Sequence, residues 1–235
     1  GFPVLLIAPG GMRSSVGFWE RTPWNPIEHL SPHYRVIAMD QRNAGRSTAP
    51  VSATDGWDTF TNDQLALMDH LGLERAALVG NSLGGSIAVA VAAAHPERVS
   101  RLVLIDSAGF NFEVRDRPWL LRLMSAPGAA AIAERLPVRK RLVAAGLRQV
   151  FFHDDLVTGE RIDEYAAPML RPGALRASAE VLASTAPDFD ALTARVRAPT
   201  LVIWGRDDEW IPLEHADRFT RAIAGATAVV LDACG

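Results

Sequence analysis

One stretch of the sequence, ALVGNSLGGSIAVAVAAAHP at residues 77–96, restricts the folds open to this chain more than any other. An apolar run ends at Gly80, a glycine-rich turn follows, and an Ala/Val-rich segment of helical composition begins directly after it. In the turn, Gly80, Ser82 and Gly84 fit the pattern G-x-S-x-G. A sharp strand-to-helix turn strains its central residue, and flanking glycines let neighbouring chain approach without a Cβ clash. The pattern therefore predicts a strand, a tight turn that raises the Ser82 hydroxyl, and a helix whose positive end lies beside it.

Two interpretations of Ser82 follow from the residues themselves. It is either a helix cap in a glycine-rich turn or a nucleophile presented to a carbonyl carbon. Its place directly between a strand and a helix favours the nucleophile. A phosphate-binding loop is excluded, because the stretch contains neither G-x-G-x-x-G nor a terminal Gly-Lys-Ser/Thr.

Short apolar runs alternate with helical segments along the rest of the chain. Runs typical of strands buried on both faces occupy residues 4–8, 34–40, 76–80, 99–106, 200–204 and 226–231. Helical spacing or composition marks residues 18–30, 59–71, 83–95 and 213–224. This alternation predicts an α/β fold, a doubly wound and mostly parallel sheet with helices on both faces. Ligand sites in such sheets lie beyond the carboxyl ends of the strands.

A long middle segment, residues 110–198, interrupts the alternation. It holds Pro-punctuated helical pieces such as RPWLLRLMS and RKRLVAAGLRQVFF and no convincing strand. Because unstructured loops of this length are uncommon in compact domains, we expect a helical cap inserted between two strands. Residues 1–109 and 199–235 then form the core domain.

Composition removes several classes of partner. The net charge of -3, from 24 basic and 27 acidic residues, provides no basic field for nucleic acid or an anionic membrane surface. The single cysteine, Cys234, excludes an internal disulfide framework and fits a reducing, cytoplasmic location. With no metal cluster, cofactor motif or membrane-spanning run in the sequence, the expected partner is a small and at least partly apolar carbonyl compound. A homo-oligomer is left open.

Four landmarks, in the order in which they occur here, resemble those of the α/β-hydrolase fold family in its serine hydrolase branch. They are LLIAPGGM at residues 5–12, MDQRNAGRS at 39–47, the G-x-S-x-G turn, and LVIWGRDDEWIP at 201–212. The resemblance covers essentially the whole chain except residues 110–198, which correspond to the variable cap of that family.

The resemblance implies an oxyanion hole made of two backbone amides. Leu83, directly after the nucleophile, supplies one, and Gly11 in the first landmark supplies the other, with Met12 as its alternative. Pro9 stands where most members have a histidine, but a backbone donor does not depend on that side chain. In the second landmark we expect Asp40 and Arg42 to form a structural ion pair.

The fourth landmark carries the acid that the resemblance implies. Asp208 fits the family's Gly-x-x-Asp from Gly205, while Asp207 and Asp106 are alternatives. None of the six histidines stands at the family's position, which comes directly after Gly235. We therefore expect the general base there. The opening hairpin and closing helix of the family are also missing, which predicts a chain truncated at both ends and poorly active as it stands.

The implied function is hydrolysis through an acyl-enzyme, with Ser82 as nucleophile and Asp208 as acid. A small carboxylic ester is the first predicted substrate. One alternative is cleavage of a carbon-carbon bond in dienoate ring-fission products of aromatic compounds, to which GNSLGG, WGRDDEWIPLEHA and a set of cap arginines point: Arg115, Arg117, Arg122 and Arg139. The other alternative is a ligand-binding module without catalysis. In each case the predicted pocket is lined by Met12, Phe110, Trp119, Met124, Trp210 and Ile211.

Overall fold

A parallel six-stranded sheet forms the centre of the computed structural model, which describes residues 1–9, 14–49, 56–110, 139–169 and 187–235. The strands run in the order β2-β1-β3-β4-β5-β6, and each neighbouring pair is parallel. Their bounds are Phe2–Ile7 (β1), Tyr34–Ala38 (β2), Ala76–Asn81 (β3), Val99–Ile105 (β4), Thr200–Gly205 (β5) and Thr227–Leu231 (β6). The predicted α/β fold is confirmed, because all six apolar runs of the sequence become strands of one sheet.

Eight α-helices accompany the sheet in the described ranges. They are α1 (Val16–Glu20), α2 (Pro26–Leu30), α3 (Trp57–His70), α4 (Leu83–Ala94), α5 (Arg139–Val150), α6 (Gly159–Met169), α7 (Phe189–Thr193) and α8 (Glu214–Ala222). Short 3₁₀ turns occupy Pro96–Arg98 and Asp154–Leu156. The single helix predicted at residues 18–30 is wrong. Two helices form instead, and the second begins because the Asn25 side chain accepts hydrogen bonds from the backbone amides of Ile27 and Glu28.

Strand β1 shows how the sheet is covered on both faces. Leu5 and Ile7 point into the main hydrophobic core with α4, whereas Val4, Leu6 and Ala8 point into a second core with Trp19 of α1. This alternation is the period of two that a strand imposes on its side chains. Burial on both faces was also expected for the two edge strands and is wrong for them, because much of β2 and β6 remains exposed.

Two cap helices, α5 and α6, come between β4 and β5 in the chain. They pack on each other through a small apolar cluster of Val143, Leu147, Val157 and Ala166. Lys140 and Asp163 add an exposed ion pair between them at 2.6 Å. The helical insertion is therefore present, while the exact domain boundaries stay a prediction. Phe189 of α7, inside the expected cap, already packs in the main core of the sheet.

Helix α4 approaches β1 so closely that its second residue has no room for a side chain. A Cβ on Gly84 would lie 2.2 Å from the carbonyl oxygen of Ile7, while a Cβ on Gly159 in α6 would meet nothing within 4 Å. We expect Gly84→Ala to lower the free energy of unfolding by about 2 kcal/mol or more through overpacking. The matched control Gly159→Ala should stay within about 0.5 kcal/mol. Urea unfolding followed by circular dichroism measures both, and equal effects would contradict the packing argument.

Candidate active site

Ser82 lies at the sharp turn between β3 and α4. Its backbone has φ 51° and ψ -123°, a left-handed conformation that is strained for a residue with a Cβ. Two hydrogen bonds fix this turn to the end of β4 and the residues after it. The Ser82 amide donates to Ile105 O at 2.9 Å, and Ser82 O accepts from the Ala108 amide at 3.0 Å. The Ser82 side chain makes no capping hydrogen bond to the helix. Its hydroxyl is therefore not engaged in the capping role that was the alternative interpretation.

The glycines that flank this turn are required by close contacts. A Cβ on Gly80 would lie 2.4 Å from Gly84 O, in addition to the contact between Gly84 and β1 described above. The Leu83 amide is the first of α4, at the positive end of the helix, where an oxyanion is stabilised. Its expected partners in the oxyanion turn, Gly11 and Met12, lie outside the described residues.

Asp208 lies in the turn after β5 and is held by two backbone amides. Its Oδ1 accepts hydrogen bonds from the amides of Trp210 at 2.7 Å and Ile211 at 2.9 Å. In the described part of the chain Oδ2 makes no such bond, so it is free to accept an imidazole N-H. Burial raises the pKa of Asp208, while the bonds from Ile211 and Trp210 oppose that shift. A further bond from the indole N-H of Trp204 to Ile211 O, at 3.1 Å, closes the turn.

Asp106, the alternative acid, directly follows β4 and lies next to this turn. Its Oδ1 accepts a hydrogen bond from the Gly205 amide at 2.7 Å. Burial raises the pKa of Asp106 to about 7, the Gly205 bond lowers it, and the nearby charge of Asp208 raises it further. Two carboxyl groups thus lie at the carboxyl edge of β4 and β5. Asp207, the other alternative, has an exposed side chain in the same turn.

The turn after β6 lies against the turn that carries Asp208. The Asp207 amide donates to Cys234 O at 2.8 Å, and the Arg206 amide donates to Leu231 O at 2.9 Å. Burial raises the pKa of the Cys234 thiol, and so do the charges of Asp106 and Asp208. The last residues of the chain are therefore close to both carboxyl groups.

The six histidines of the chain occupy three different environments. Four of them come shortly before a strand begins, and therefore lie at the amino edge of the parallel sheet, opposite to Ser82. They are His29, His33, His70 and His95. His95 ends α4, about 18 Å along the helix from the turn. His153 is an exposed cap residue. His215 is buried in α8 with its ring 6.0 Å from that of Phe110, and burial, followed by the charge of Arg218, lowers its pKa.

The second landmark is structural, but its ion pair differs from the expected one. The Asp40-Arg42 pair is wrong: Arg42 binds Asp63 of α3 through two 2.7 Å hydrogen bonds. Asp40 instead accepts the amides of Val16 at 2.8 Å and Arg46 at 2.9 Å. It therefore joins the start of α1 to the loop after β2, because one carboxylate can accept several backbone donors.

Part of the predicted pocket can be located. Met12, Trp119 and Met124 lie outside the described residues, as do three of the four cap arginines. Phe110 and Ile211 are buried in the main core, and Trp210 packs against that core with its indole N-H unpaired in the described part of the chain. A cavity of about 440 Å³ lies between the cap and the turn of Asp208, and Phe151, Phe152, Arg148 and Glu209 are among its lining residues.

Arg161 in α6 is a candidate ligand-binding residue that the sequence did not single out. Its guanidinium lies over the ring of Phe151, 5.2 Å from the centroid. Its Nη1 is shielded from solvent and has no hydrogen-bond partner among the described residues. The residue as a whole is half-buried, and since a shielded cationic nitrogen normally has an anionic partner, this one is suited to bind an acidic ligand. The sequence showed several cap arginines without indicating which one has a shielded guanidinium nitrogen.

None of the described helices is both long and apolar enough to cross a membrane. Three or more His, Cys, Asp or Glu side chains are nowhere grouped, among the residues described, so that they could hold a metal ion.

The pH dependence of stability tests the environment of Asp106. Its pKa rises from 3.8 in the unfolded chain to about 7 in the folded one, so between these values the folded chain keeps a proton that the unfolded chain releases. Through this group, the free energy of unfolding falls as the pH rises toward 7. The free energy of unfolding of the native chain should fall between about pH 5 and pH 7. We expect Asp106→Asn, which cannot ionise, to make this fall smaller by up to about 2 kcal/mol. Urea unfolding at both values measures it, and parallel pH dependence of the two proteins would contradict it.

Comparison with known proteins agrees with this geometry. A family described as "alpha/beta hydrolase fold" matches residues 3–235. The 2-hydroxymuconate semialdehyde hydrolase of Pseudomonas sp. (strain CF600) is 33% identical, over 100% of this chain and 80% of its own. The 2-hydroxy-6-oxo-2,4-heptadienoate hydrolase of Pseudomonas putida is 31% identical, over 100% of this chain and 82% of its own. The solved meta-cleavage product hydrolase from Pseudomonas fluorescens IP01 has a TM-score of 0.81 at 29% identity, covering 100% of this chain and 84% of that one. This chain therefore belongs to the α/β-hydrolase fold family, among its hydrolases.

Proposed function

We propose that this protein hydrolyses the carbon-carbon bond beside a keto group in a dienoate acid. The observation that supports this most directly is the similarity, over the whole chain, to hydrolases of 2-hydroxymuconate semialdehyde and 2-hydroxy-6-oxo-2,4-heptadienoate. The sequence placed ester hydrolysis first and this reaction second. The relatives reverse that order.

In the proposed reaction Ser82 is the nucleophile. Its Oγ adds to the keto carbon while a base takes its proton, and the amides of Leu83 and Gly11 stabilise the oxyanion. When the carbon-carbon bond breaks, its electron pair passes into the conjugated dienoate, which then takes up a proton. Water hydrolyses the acyl-enzyme and releases a carboxylic acid. Asp208 holds the protonated base through its unengaged Oδ2.

The general base we propose is a histidine that follows Gly235 directly. The contact between Cys234 O and the Asp207 amide, at 2.8 Å, supports this position. The pKa of the Cys234 thiol is raised by burial first and then by the charges of Asp106 and Asp208, which fits a position of this turn close to the proposed acid. A side chain at the next position would begin beside Asp208.

Arg161 is our proposed partner for the substrate carboxylate. A dienoate acid carries a negative charge that a simple ester lacks, and the unpaired, shielded Nη1 of Arg161 is a complementary donor. Phe151, which stacks on Arg161, also lines the cavity next to the turn of Asp208. The shielded guanidinium nitrogen of this half-buried arginine is the specific feature that favours the dienoate over the ester.

Ester hydrolysis stays a prediction as the second activity. A serine nucleophile, an oxyanion hole and an acid-base pair serve both reactions, since each begins with attack on a carbonyl carbon. The two differ in the leaving group, which is an alkoxide in one case and a carbanion in the other.

Labelling of Ser82 by a fluorophosphonate tests the nucleophile and the base together. We expect the 235-residue chain to label slowly, and a form extended past Gly235 through a histidine to label at least about a hundredfold faster, because a positioned base contributes that much. Ser82→Ala should label in neither form. Fast labelling of the 235-residue chain itself would assign the base to another residue.

Replacement of Arg161 tests the substrate class. In the extended form, we expect Arg161→Gln to raise KM for a 2-hydroxy-6-oxo-dienoate about 10- to 100-fold, which corresponds to one charge-assisted hydrogen bond. Hydrolysis of a neutral nitrophenyl ester should change less than about threefold, since that substrate has no carboxylate. Absorbance assays follow both reactions.

The matched control is Arg141→Gln, an exposed arginine of the neighbouring cap helix α5. It removes the same charge from the cap and should alter neither KM. If Arg141→Gln lost as much dienoate affinity as Arg161→Gln, the effect of Arg161 would come from the general charge of the cap and not from a specific contact. Turnover of the ester without any turnover of the dienoate would reject the carbon-carbon bond proposal.

A further inference from the structure

Asp106 binds the end of β5 with both its side chain and its backbone. Its Oδ1 accepts the Gly205 amide at 2.7 Å, across 99 residues of chain, and its own amide donates to Ile203 O at 3.0 Å. It does so with φ 40°, in the left-handed region. A residue with a Cβ keeps that conformation when surrounding contacts hold it there. The Gly205 bond is such a contact.

The residues on either side of Asp106 bind the nucleophile turn. Ile105 O accepts the Ser82 amide at 2.9 Å and the Asn81 side-chain amide at 3.2 Å. The Ala108 amide donates to Ser82 O at 3.0 Å. The short segment 105–108 therefore touches the Ser82 turn through its backbone and the Asp208 turn through the Asp106 side chain.

We propose that Asp106 is a positioning residue for Asp208, fixing the start of the acid-bearing turn relative to Ser82 by accepting the Gly205 N-H. Gly205 ends β5, and Asp208 follows it in the same turn. A shift of about 1 Å at that point would move the acid out of line with the base, which can cost about a hundredfold in rate. The inference rests on the proposed function, because it takes Asp208 as the acid.

Asp106 itself is poorly suited to be the acid. A triad acid must be ionised to stabilise the protonated base, whereas burial keeps the carboxyl of Asp106 partly protonated near neutral pH, since its pKa is about 7. The ionisable groups found to interact with it are Asp208 and Cys234. Its Oδ1 is also occupied by the Gly205 amide. A carboxyl oxygen accepts that bond in either protonation state, so the positioning role does not depend on charge.

A set of substitutions separates positioning from acid catalysis. Asp106→Asn keeps an acceptor oxygen and tolerates a positive φ, while Asp106→Ala removes the acceptor. If the alanine variant fails to fold, Asp106→Gly removes the acceptor without strain at positive φ. Asp208→Asn is the reference for loss of the acid, and Asp207→Asn, an exposed carboxylate in the same turn, controls for charge.

Two readouts are taken on the form extended past Gly235 through a histidine, which has the proposed base: the relative rate of fluorophosphonate labelling at Ser82, and the hydrogen-exchange rate of the Gly205 amide by NMR. We expect Asp106→Ala to slow labelling about 10- to 100-fold and to speed Gly205 exchange at least about tenfold. Asp106→Asn and Asp207→Asn should stay within about threefold of the native chain in both.

Several outcomes would overturn the proposal. Native labelling rates in Asp106→Ala would show that the contact positions nothing. Labelling of Asp106→Asn as slow as that of Asp208→Asn would make Asp106 the acid. Unchanged Gly205 exchange in Asp106→Ala would remove the hydrogen bond from the argument. Neither readout uses a dienoate, so a substrate other than a dienoate would leave this test intact, and its own failure would leave the substrate assignment intact.

Discussion

The close approach of helix α4 to the ends of β1 and β3 is the contact on which the geometry of the site depends. There is no space for a side chain at Gly80 or Gly84, because a Cβ would lie 2.4 Å from a backbone oxygen at Gly80 and 2.2 Å from one at Gly84. Ser82, between them, is forced into a left-handed conformation, and its amide and carbonyl are turned toward β4. The helix therefore begins at the edge of the sheet where the neighbouring strands end.

Two acids at these strand ends lie in poorly hydrated surroundings, which opposes their charge. Burial raises the pKa of both Asp106 and Asp208. Backbone amides offset part of this cost, one at Asp106 and two at Asp208. Strain and buried charge collected at one place are characteristic of sites where structure serves chemistry.

The sequence predicted the features that depend on local pattern. The strands, helix α4 and the turn around Ser82 follow from hydrophobic period and glycine spacing over about 20 residues. It did not predict contacts that depend on distant partners. Arg42 binds Asp63 rather than Asp40, because α3 brings Asp63 within reach, and nothing in MDQRNAGRS indicates that. The exposure of β2 and β6 likewise depends on the order of strands in the sheet, which an apolar run does not encode.

The difference between local pattern and distant contacts also explains why the proposed substrate was harder to predict than the chemistry. Attack by Ser82 requires the shared scaffold, and its landmarks lie in the core, where pattern is strong. The proposed carbon leaving group needs, in addition, a conjugated acid held in place, and we propose that a cap arginine supplies the cation for that acid. Arg161, the cation that we propose for this role, has a shielded Nη1 and lies over Phe151, whereas the cap arginine Arg141 is exposed. Those properties arise from the packing of α5 on α6, so the proposed discriminating residue is visible in the folded chain and not in its sequence.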